Sequence, residues 1–126
     1  MESRTYPVTS EWALDATTFL WILRIFGPFE IDLFATRWNN KLPEFVSPCP
    51  DPEATEVNAL SLSWNKWNKI YLFPPPNLMP EVLEHLDSFK GQGVLIAPYW
   101  PKAPWLVPLL EKDPYPVPLP ETYHLW

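Results

Sequence analysis

The sequence predicts an α/β domain of three layers, in which helices cover a mostly parallel sheet. Residues 70–73 form a short apolar run that is typical of a buried strand, and a helical pattern over residues 80–90 follows it. Residues 93–98 give a second clear strand, and residues 29–34 a third of almost continuous apolar character. Strands that are apolar on both faces suit a parallel sheet, and the strand–helix–strand order favours right-handed crossovers.

The prolines after the strand at residues 70–73 are the most distinctive feature of the chain. Pro74, Pro75 and Pro76 lack backbone donors, so a central strand cannot continue through them. They predict a stiff turn at the carboxyl end of the strand, which is where ligands bind in open α/β sheets. This turn is therefore the first candidate for a ligand-binding or catalytic site.

The helices follow from local signals. Asp15 is a good N-cap, and Leu14 and Phe19 are spaced as a hydrophobic staple. This first helix is expected to end at Gly27, and Pro28 follows. Two further helices are predicted over residues 80–90 and 104–111, whereas residues 51–67 allow either a helical turn or a short strand.

Composition narrows the function classes. The chain has 126 residues, enough for one modest core, and its net charge of −6 disfavours a general nucleic-acid coat. With 3 glycines it cannot easily build a glycine-rich phosphate loop, and its single cysteine, Cys49, excludes an internal disulfide or a thiolate metal cluster. No metal site, membrane span or signal peptide is expected, which favours an intracellular setting in the nucleus or cytoplasm.

Three segments are expected along the chain. Residues 1–10 are predicted to be a lead-in, residues 11–112 the folded domain, and residues 113–126 a proline-rich tail. The tail is expected to be extended, either wrapping the surface or linking to a further part of a longer chain.

Two groups of polar residues are candidates for a site. Asp32 lies near the end of a buried strand, where it either faces a ligand or caps backbone N–H groups of the next loop. In that loop, Arg37, Trp38 and Lys41 combine charge with an aromatic ring, the mixture that binds single-stranded nucleic acid. The overall acidity opposes this interpretation, and Trp38 has the alternative of packing inward.

Several spaced motifs together resemble one family. They include Glu-Ile-Asp-Leu-Phe-Ala-Thr-Arg-Trp-Asn-Asn-Lys-Leu-Pro at residues 30–43, Asn-Ala-Leu-Ser at 58–61, Phe-Pro-Pro at 73–75, and Ala-Pro-x-Trp-Pro-x-x-Pro-Trp at 97–105. In this order they resemble the segment after the ribonuclease H domain in the Pol polyproteins of DIRS-type retrotransposons, which integrate with a tyrosine recombinase. The resemblance covers about residues 11–110.

That segment is in turn similar to phage-type adenine DNA methyltransferases, which implies a small Rossmann-like domain. In those enzymes a strand ends in Asp-x-Ala-Ala with Asn shortly after it, and an Asn-Pro-Pro-Tyr turn does the chemistry. The resemblance places Asp32 and Asn39 at the first pair, which implies a cofactor-binding role for them. It places Asn58 where a later motif has Asp, and residues 73–76, Phe-Pro-Pro-Pro, at the catalytic turn.

The departures from the pattern decide the expected function. Methylation of an exocyclic amine needs an acceptor beside the amine and an aromatic ring on the flipped base. Phe73 offers no acceptor, and Pro76 no aromatic face. We therefore expect a noncatalytic, methyltransferase-like structural or interaction module of a retrotransposon polyprotein, with no cofactor. Its expected partners are other parts of the polyprotein or nucleic acid.

Two alternatives remain open. One is an active adenine DNA methyltransferase that uses adenosylmethionine, with Asn77 as a surrogate acceptor just past the prolines. The other is a domain that binds a nucleotide or adenosylmethionine without turnover.

Overall fold

The computed structural model describes residues 15–113, 116–119 and 123–126. These residues form three α-helices and seven short strands. In chain order they are α1 (Ala16–Phe26), β1 (Ile31–Asp32), β2 (Val46–Ser47), β3 (Glu56–Val57), β4 (Lys69–Leu72), α2 (Met79–Ser88), β5 (Gln92–Pro98), α3 (Leu106–Lys112), β6 (Val117–Pro118) and β7 (Tyr123–Leu125). Short 3₁₀ helices occupy Ala59–Ser61, Trp64–Lys66 and Pro76–Leu78.

Five of the strands form the central sheet, in the order β1-β4-β5-β7-β6. β1, β4 and β5 run parallel, whereas β7 pairs antiparallel with β5, and β6 antiparallel with β7. The predicted α/β class, with parallel pairing of the strands around residues 31, 70 and 95, is confirmed. β2 and β3 form a separate parallel pair in the long connection between β1 and β4.

Side chains that alternate along β4 and β5 divide the core into two clusters, as the pleat of a strand requires. Ile70 and Leu72 face one cluster, which contains buried residues of α2 and α3. Tyr71 and Phe73 face the other, which contains Phe19 and Ile22 of α1. The sheet therefore lies between helices on both faces, which is the three-layer arrangement that the sequence predicts.

α1 begins and ends where its local signals place it. The Asp15 carboxylate accepts a hydrogen bond from the Thr18 N–H at 3.2 Å, as an N-cap should. At the other end the Gly27 N–H donates to the Leu23 carbonyl, and a Cβ at Gly27 would lie 2.5 Å from that oxygen. The absence of a side chain is thus required at Gly27. Leu14, the first half of the predicted staple, lies outside the described residues.

α2 spans Met79–Ser88 rather than residues 80–90. It ends early because the Phe89 N–H closes a tight turn onto the Leu86 carbonyl, and the Lys90 N–H donates to the Asn65 side chain at 2.8 Å. His85, expected on the surface, is half-buried and stacks on Trp64 at a centroid distance of 4.6 Å.

The described part of the proline-rich tail enters the sheet. Tyr123–Leu125 pairs with β5, and the backbone of Trp126 exchanges two 2.8 Å hydrogen bonds with Leu95. Leu119 and Leu125 are buried against the α1 side of the core. The end of the chain thus covers the β5 edge that β4 leaves open.

Candidate functional site

A pocket of about 220 Å³ opens between the carboxyl ends of β1 and β4. Its walls come from the segments that follow these two strands and from the connection that carries β2 and β3. Most of the lining is apolar, and polar side chains come from three residues, Thr36, Asn39 and Asn58. The full lining is Leu33, Phe34, Ala35, Thr36, Asn39, Val46, Pro48, Asn58, Ala59, Leu60, Phe73, Pro75 and Leu78.

The loop after β1 is held by its own side chains. The Asn39 Oδ1 accepts from the Thr36 N–H at 2.7 Å and from the Thr36 hydroxyl at 3.2 Å. The Trp38 N–H in turn donates to the Thr36 hydroxyl oxygen at 3.2 Å, and the N–H groups of Asn39 and Asn40 donate to the Thr36 carbonyl. Two of the three polar side chains of the pocket, those of Thr36 and Asn39, therefore form hydrogen bonds within the loop that hold its conformation.

Asp32 does not line the pocket. Its side chain is 2 % exposed, and its Oδ2 accepts from the Lys41 N–H at 2.9 Å. Burial raises the pKa of this carboxyl to about 7, although hydrogen bonds from the backbones of Lys41 and Phe34 and the charge of Lys41 oppose the rise. The geometry is that of a carboxylate capping the following loop, the second of the two roles considered for it.

Tyr71 is the cross-strand neighbour of Asp32 on β4. Its hydroxyl is buried and has no hydrogen-bond partner among the described residues, while its ring packs edge-on against Phe19 at 5.1 Å. Burial, and to a lesser degree the charge of Asp32, raise the pKa of the Tyr71 phenol. The pair lies on the α1 side of the sheet, enclosed in the core.

Two of the three predicted nucleic-acid contacts lie together, because the Arg37 guanidinium is 5.7 Å from the centre of the Trp38 ring. Trp38 is 78 % exposed, so it does not pack inward. Arg37 donates two hydrogen bonds to the Asp51 carboxylate, at 3.0 and 2.6 Å, and also lies 3.7 Å from Glu53. Lys41 contributes its backbone N–H to Asp32, and its ammonium has no ion pair within the described part of the chain.

The remaining cations of this edge are also engaged. The Lys66 ammonium pairs with Glu56 at 2.8 Å and lies 5.3 Å from the Trp67 ring. The Lys69 ammonium donates to the Phe26 carbonyl at 2.8 Å. A continuous basic track along the candidate site is therefore not formed by these residues.

The proline turn supplies an apolar wall. Phe73 and Pro75 line the pocket, and Pro74 is buried behind them. The Phe73 ring is 6 % exposed and packs edge-on against Tyr123 at 5.2 Å. Asn77, the predicted surrogate acceptor, is exposed in the 3₁₀ helix Pro76–Leu78 and does not line the pocket.

Sequence reasoning missed much of the far wall. Asn58 has a left-handed backbone with φ 60°, which asparagine tolerates better than most residues, and its N–H donates to the Ser47 carbonyl. This bend turns the chain from β3 into the 3₁₀ helix of Ala59, whose carbonyl accepts from the buried Trp64 indole at 2.9 Å. The motif resemblance singled out residues 58–61, but no pattern in the sequence indicated that they line a pocket.

A second, larger crevice of about 470 Å³ lies at the amino ends of β4 and β5, beside Gly91 and Gly93. Its polar side chains are Gln92, Lys112 and Asp113, and Lys112 is paired with Asp87. We take the smaller pocket as the candidate site because it lies where both the proline turn and the loop after β1 converge.

No protein-family model matches the chain, and no curated protein matches it. Within residues 15–113, 116–119 and 123–126, no group of His, Cys, Asp and Glu side chains could hold a metal ion. None of the helices in those ranges has the length and apolar character needed to cross a bilayer.

Proposed function

We propose that this chain is a noncatalytic, methyltransferase-like module of a DIRS-type retrotransposon polyprotein, with a small Rossmann-like fold that serves as an interaction domain. As part of such a polyprotein it would work in the cytoplasm or nucleus. One observation carries the proposal: Phe73, which the motif resemblance aligns with the polar acceptor of the methyltransferases, is a buried aromatic residue that lines the pocket. The motif resemblance supplies the family, and the pocket supplies the physical argument.

Methyl transfer to an exocyclic amine requires a polar acceptor, which the Phe73 side chain does not provide. An exocyclic amine must donate to a fixed acceptor so that its lone pair points at the methyl group of the sulfonium. The Phe73 ring cannot accept such hydrogen bonds, and Asn77 is not among the residues that line the pocket. The position of Asn77 outside the pocket lining therefore favours the noncatalytic module over an active enzyme with Asn77 as acceptor.

The size and the polar groups of the pocket argue in the same direction. Sites for drug-sized ligands usually occupy roughly 300–1,000 Å³, and this pocket occupies about 220 Å³. The Thr36 N–H, which could otherwise bind a ligand, donates to Asn39. We infer a pocket for one apolar group rather than for a complete nucleoside cosubstrate.

The surrounding charges favour a protein as the partner. Arg37 is neutralised by Asp51 and Glu53, and the whole chain carries a net charge of −6. Binding of nucleic acid draws its affinity from free cations that replace counterions of the phosphates. The exposed Trp38 ring, in contrast, is typical of the aromatic residues that dominate protein–protein contacts.

Calorimetric titration with adenosylmethionine tests the loss of the cosubstrate site. We expect no micromolar binding and no methyl transfer to DNA. Clear micromolar binding would contradict the proposal. Methyl transfer that disappears in Asn77→Ala would establish the active enzyme instead, and because Asn77 is exposed, this variant should retain its fold.

A filter-binding series with single-stranded DNA and RNA at several salt concentrations tests the choice of partner. We expect no salt-sensitive binding by the wild-type domain. Salt-sensitive binding that weakens in Arg37→Ala and Lys41→Ala would show that nucleic acid is the partner, with these residues contacting phosphates.

A further inference from the structure

The loop between β1 and β2 is closed at its base by one buried carboxylate. Asp32 is the last residue of β1 and is 2 % exposed, and its Oδ2 accepts a hydrogen bond from the Lys41 N–H at 2.9 Å. This bond encloses residues 33–40. Thr36 and Asn39 lie in the enclosed segment and line the candidate pocket. The position of one pocket wall therefore depends on a group that can bind a proton.

We propose that Asp32 is a proton-dependent anchor of this loop, which holds the pocket wall firmly when it is ionised and loosely when it is protonated. The inference rests on the proposed function, because it takes the pocket as the interaction site. Its physical reason is that hydrogen bonds to a charged acceptor are roughly twice as strong as those between neutral groups. A partner that needs an ordered pocket wall would then bind more tightly to the ionised form.

The outgoing limb of the loop does not depend on this anchor. The Leu33 N–H donates to the Tyr71 carbonyl at 3.0 Å, which continues the pairing of β1 with β4. The Ala35 N–H donates to the Val46 carbonyl at 3.2 Å. Both bonds join backbone groups and are indifferent to the charge of Asp32, so the loop is fixed as far as residue 35 in either protonation state.

The returning limb is held by fewer contacts. The side-chain hydrogen bonds of the Thr36–Asn39 turn stay within the turn. Arg37 binds Asp51, but this pair lies at the surface, where solvent screens it. Leu42 is buried and fixes the chain beyond the loop. The bond between Lys41 and Asp32 is therefore the buried polar contact that positions residues 36–41.

The groups around Asp32 leave the loop as the main source of the difference between its protonation states. On β4, the Tyr71 hydroxyl is buried without a hydrogen-bond partner, so it does not bond to Asp32. On the segment before β2, the Glu44 carboxylate accepts from the Thr55 hydroxyl at 2.7 Å. The charged group that acts on Asp32 is the Lys41 ammonium. α1 and the end of the loop contribute apolar side chains to the same core cluster, among them Phe19, Ile22 and Leu42.

The proton equilibrium of Asp32 lies in a range where such an anchor can respond. Burial raises the pKa of its carboxyl to about 7, against the backbone hydrogen bonds of Lys41 and Phe34 and the charge of Lys41. The buried charge costs stability to the fold as a whole, yet it is the form that binds the Lys41 N–H more strongly. Raising the pH should therefore destabilise the domain while it orders the loop, and these opposite directions distinguish an anchor from general loosening.

Amide NMR of the whole chain from about pH 5 to about pH 9 tests the anchor. We expect the amide signals of Thr36, Asn39 and Lys41 to titrate together, with a midpoint near pH 7. The hydrogen-exchange protection factor of the Lys41 amide, corrected for the intrinsic effect of pH, should rise at least about 5-fold because its acceptor becomes charged. Amides in the centre of β4 should lose protection over the same range, since they exchange through global unfolding.

Two variants assign the midpoint. Asp32→Asn keeps a neutral acceptor for the Lys41 N–H, so the midpoint near pH 7 should disappear from all three amide signals. Glu53→Gln is the matched control, because it removes an exposed carboxylate 3.7 Å from Arg37 of the same loop and should leave the midpoint unchanged. Carbon-detected titration of the Asp32 carboxyl in the wild type gives the same midpoint directly, so the test stands even where Asp32→Asn fails to fold.

The two histidines provide a further check. His85 stacks on Trp64 and His124 on Tyr99, and both remain in Asp32→Asn. A midpoint that survives in this variant would belong to another group and would overturn the proposal.

Two other results would also overturn it: a Lys41 amide that does not titrate near pH 7, or one that titrates while Thr36 and Asn39 do not follow. These measurements contain no adenosylmethionine, whereas the proposed function fails on binding of that compound. Either proposal can therefore fail while the other stands.

Discussion

The ends of β1 and β4 lie side by side, yet they differ in almost every polar property. β1 ends in Asp32 and is followed by the Thr36–Asn39 turn, and in both places side chains hydrogen-bond to the backbone of the loop. After β4 the chain carries Phe73 and three prolines, and the buried part of this segment is wholly apolar. The two ends face each other across the candidate pocket.

The two strand ends differ in what their side chains do. In the β1 end they are nearly all committed to holding the loop, so few are left to hold a ligand. At the β4 end the buried side chains pack into the core, because Phe73 belongs to the cluster that includes Phe19 and Tyr71. Together they leave an apolar pocket with an ordered rim, which suits recognition of a side chain better than catalysis.

The largest expected effect concerns the β4 end. Phe73→Ala removes a 6 % exposed ring from the core cluster and from its edge contact with Tyr123. It should lower the free energy of unfolding by about 3–5 kcal/mol, as for other buried aromatic truncations. Urea denaturation measures the change. Phe73→Leu, which keeps most of the volume, should cost less than about 1.5 kcal/mol; equal losses in both would mean that the ring is not packed as described.

The next effect concerns the β1 end and depends on pH. Asp32 has a pKa of about 7 in the folded chain and an ordinary value of 3.8. Between these values the folded state binds the proton more strongly than the unfolded state. The free energy of unfolding should therefore fall as pH rises from about 4 to 7, by up to roughly 4 kcal/mol.

Asp32→Asn isolates this contribution, because asparagine can accept the same Lys41 N–H without ionising. Denaturation at pH 4, 6 and 8 should show the variant close to the wild type at pH 4 and more stable at pH 8. Subtracting the stability profile of the variant from that of the wild type removes the pH dependence that the other carboxylates contribute to both. A difference that stays constant with pH would show that folding does not raise the pKa of Asp32.

Much of the fold could be predicted because its signals are local. An apolar run stopped by prolines gave the strand at residues 70–73, observed at Lys69–Leu72, and the run at residues 93–98 gave β5, observed at Gln92–Pro98. Asp15 and Gly27 marked both ends of α1. These signals act within a few residues, so tertiary contacts had little opportunity to override them.

Features that depend on distant partners could not be predicted in the same way. Val117–Pro118 and Tyr123–Leu125 become strands because β5 has a free edge, and nothing in a proline-rich segment indicates that pairing. The outward direction of Trp38 depends on the hydrogen bonds that Thr36 and Asn39 make. Burial of Asp32 was foreseen, but its cap on the Lys41 N–H was one of two alternatives that composition could not separate.

A smaller effect is expected from the turn beside the pocket. Asn39→Ala leaves the Thr36 N–H without its 2.7 Å acceptor and frees the Thr36 hydroxyl. The loss should be about 1–2 kcal/mol in urea denaturation, typical of a lost side-chain cap. Asn77→Ala is the matched control, because Asn77 is exposed and makes no side-chain cap in its 3₁₀ helix, so its stability should equal that of the wild type. If both substitutions were neutral, the turn would not be what holds the β1 loop.

The smallest effect separates the exposed rim from the buried ends. The hydrogen bonds from Arg37 hold the pKa of the Asp51 carboxyl below its usual value, and the N–H of Glu53 adds to this. A carboxyl with a lowered pKa stabilises the fold above its unfolded pKa, and this contribution is lost as pH falls through the folded pKa.

In Arg37→Ala the Asp51 pKa should rise toward its ordinary value, which carbon-detected NMR titration measures directly. Because the pair is exposed to solvent, urea denaturation near pH 7 should change far less than in Asn39→Ala. Arg37→Lys keeps the charge but not the two-bond geometry, so it should restore part of the pKa shift; full restoration would mean that charge alone, and not the paired hydrogen bonds, sets the Asp51 pKa.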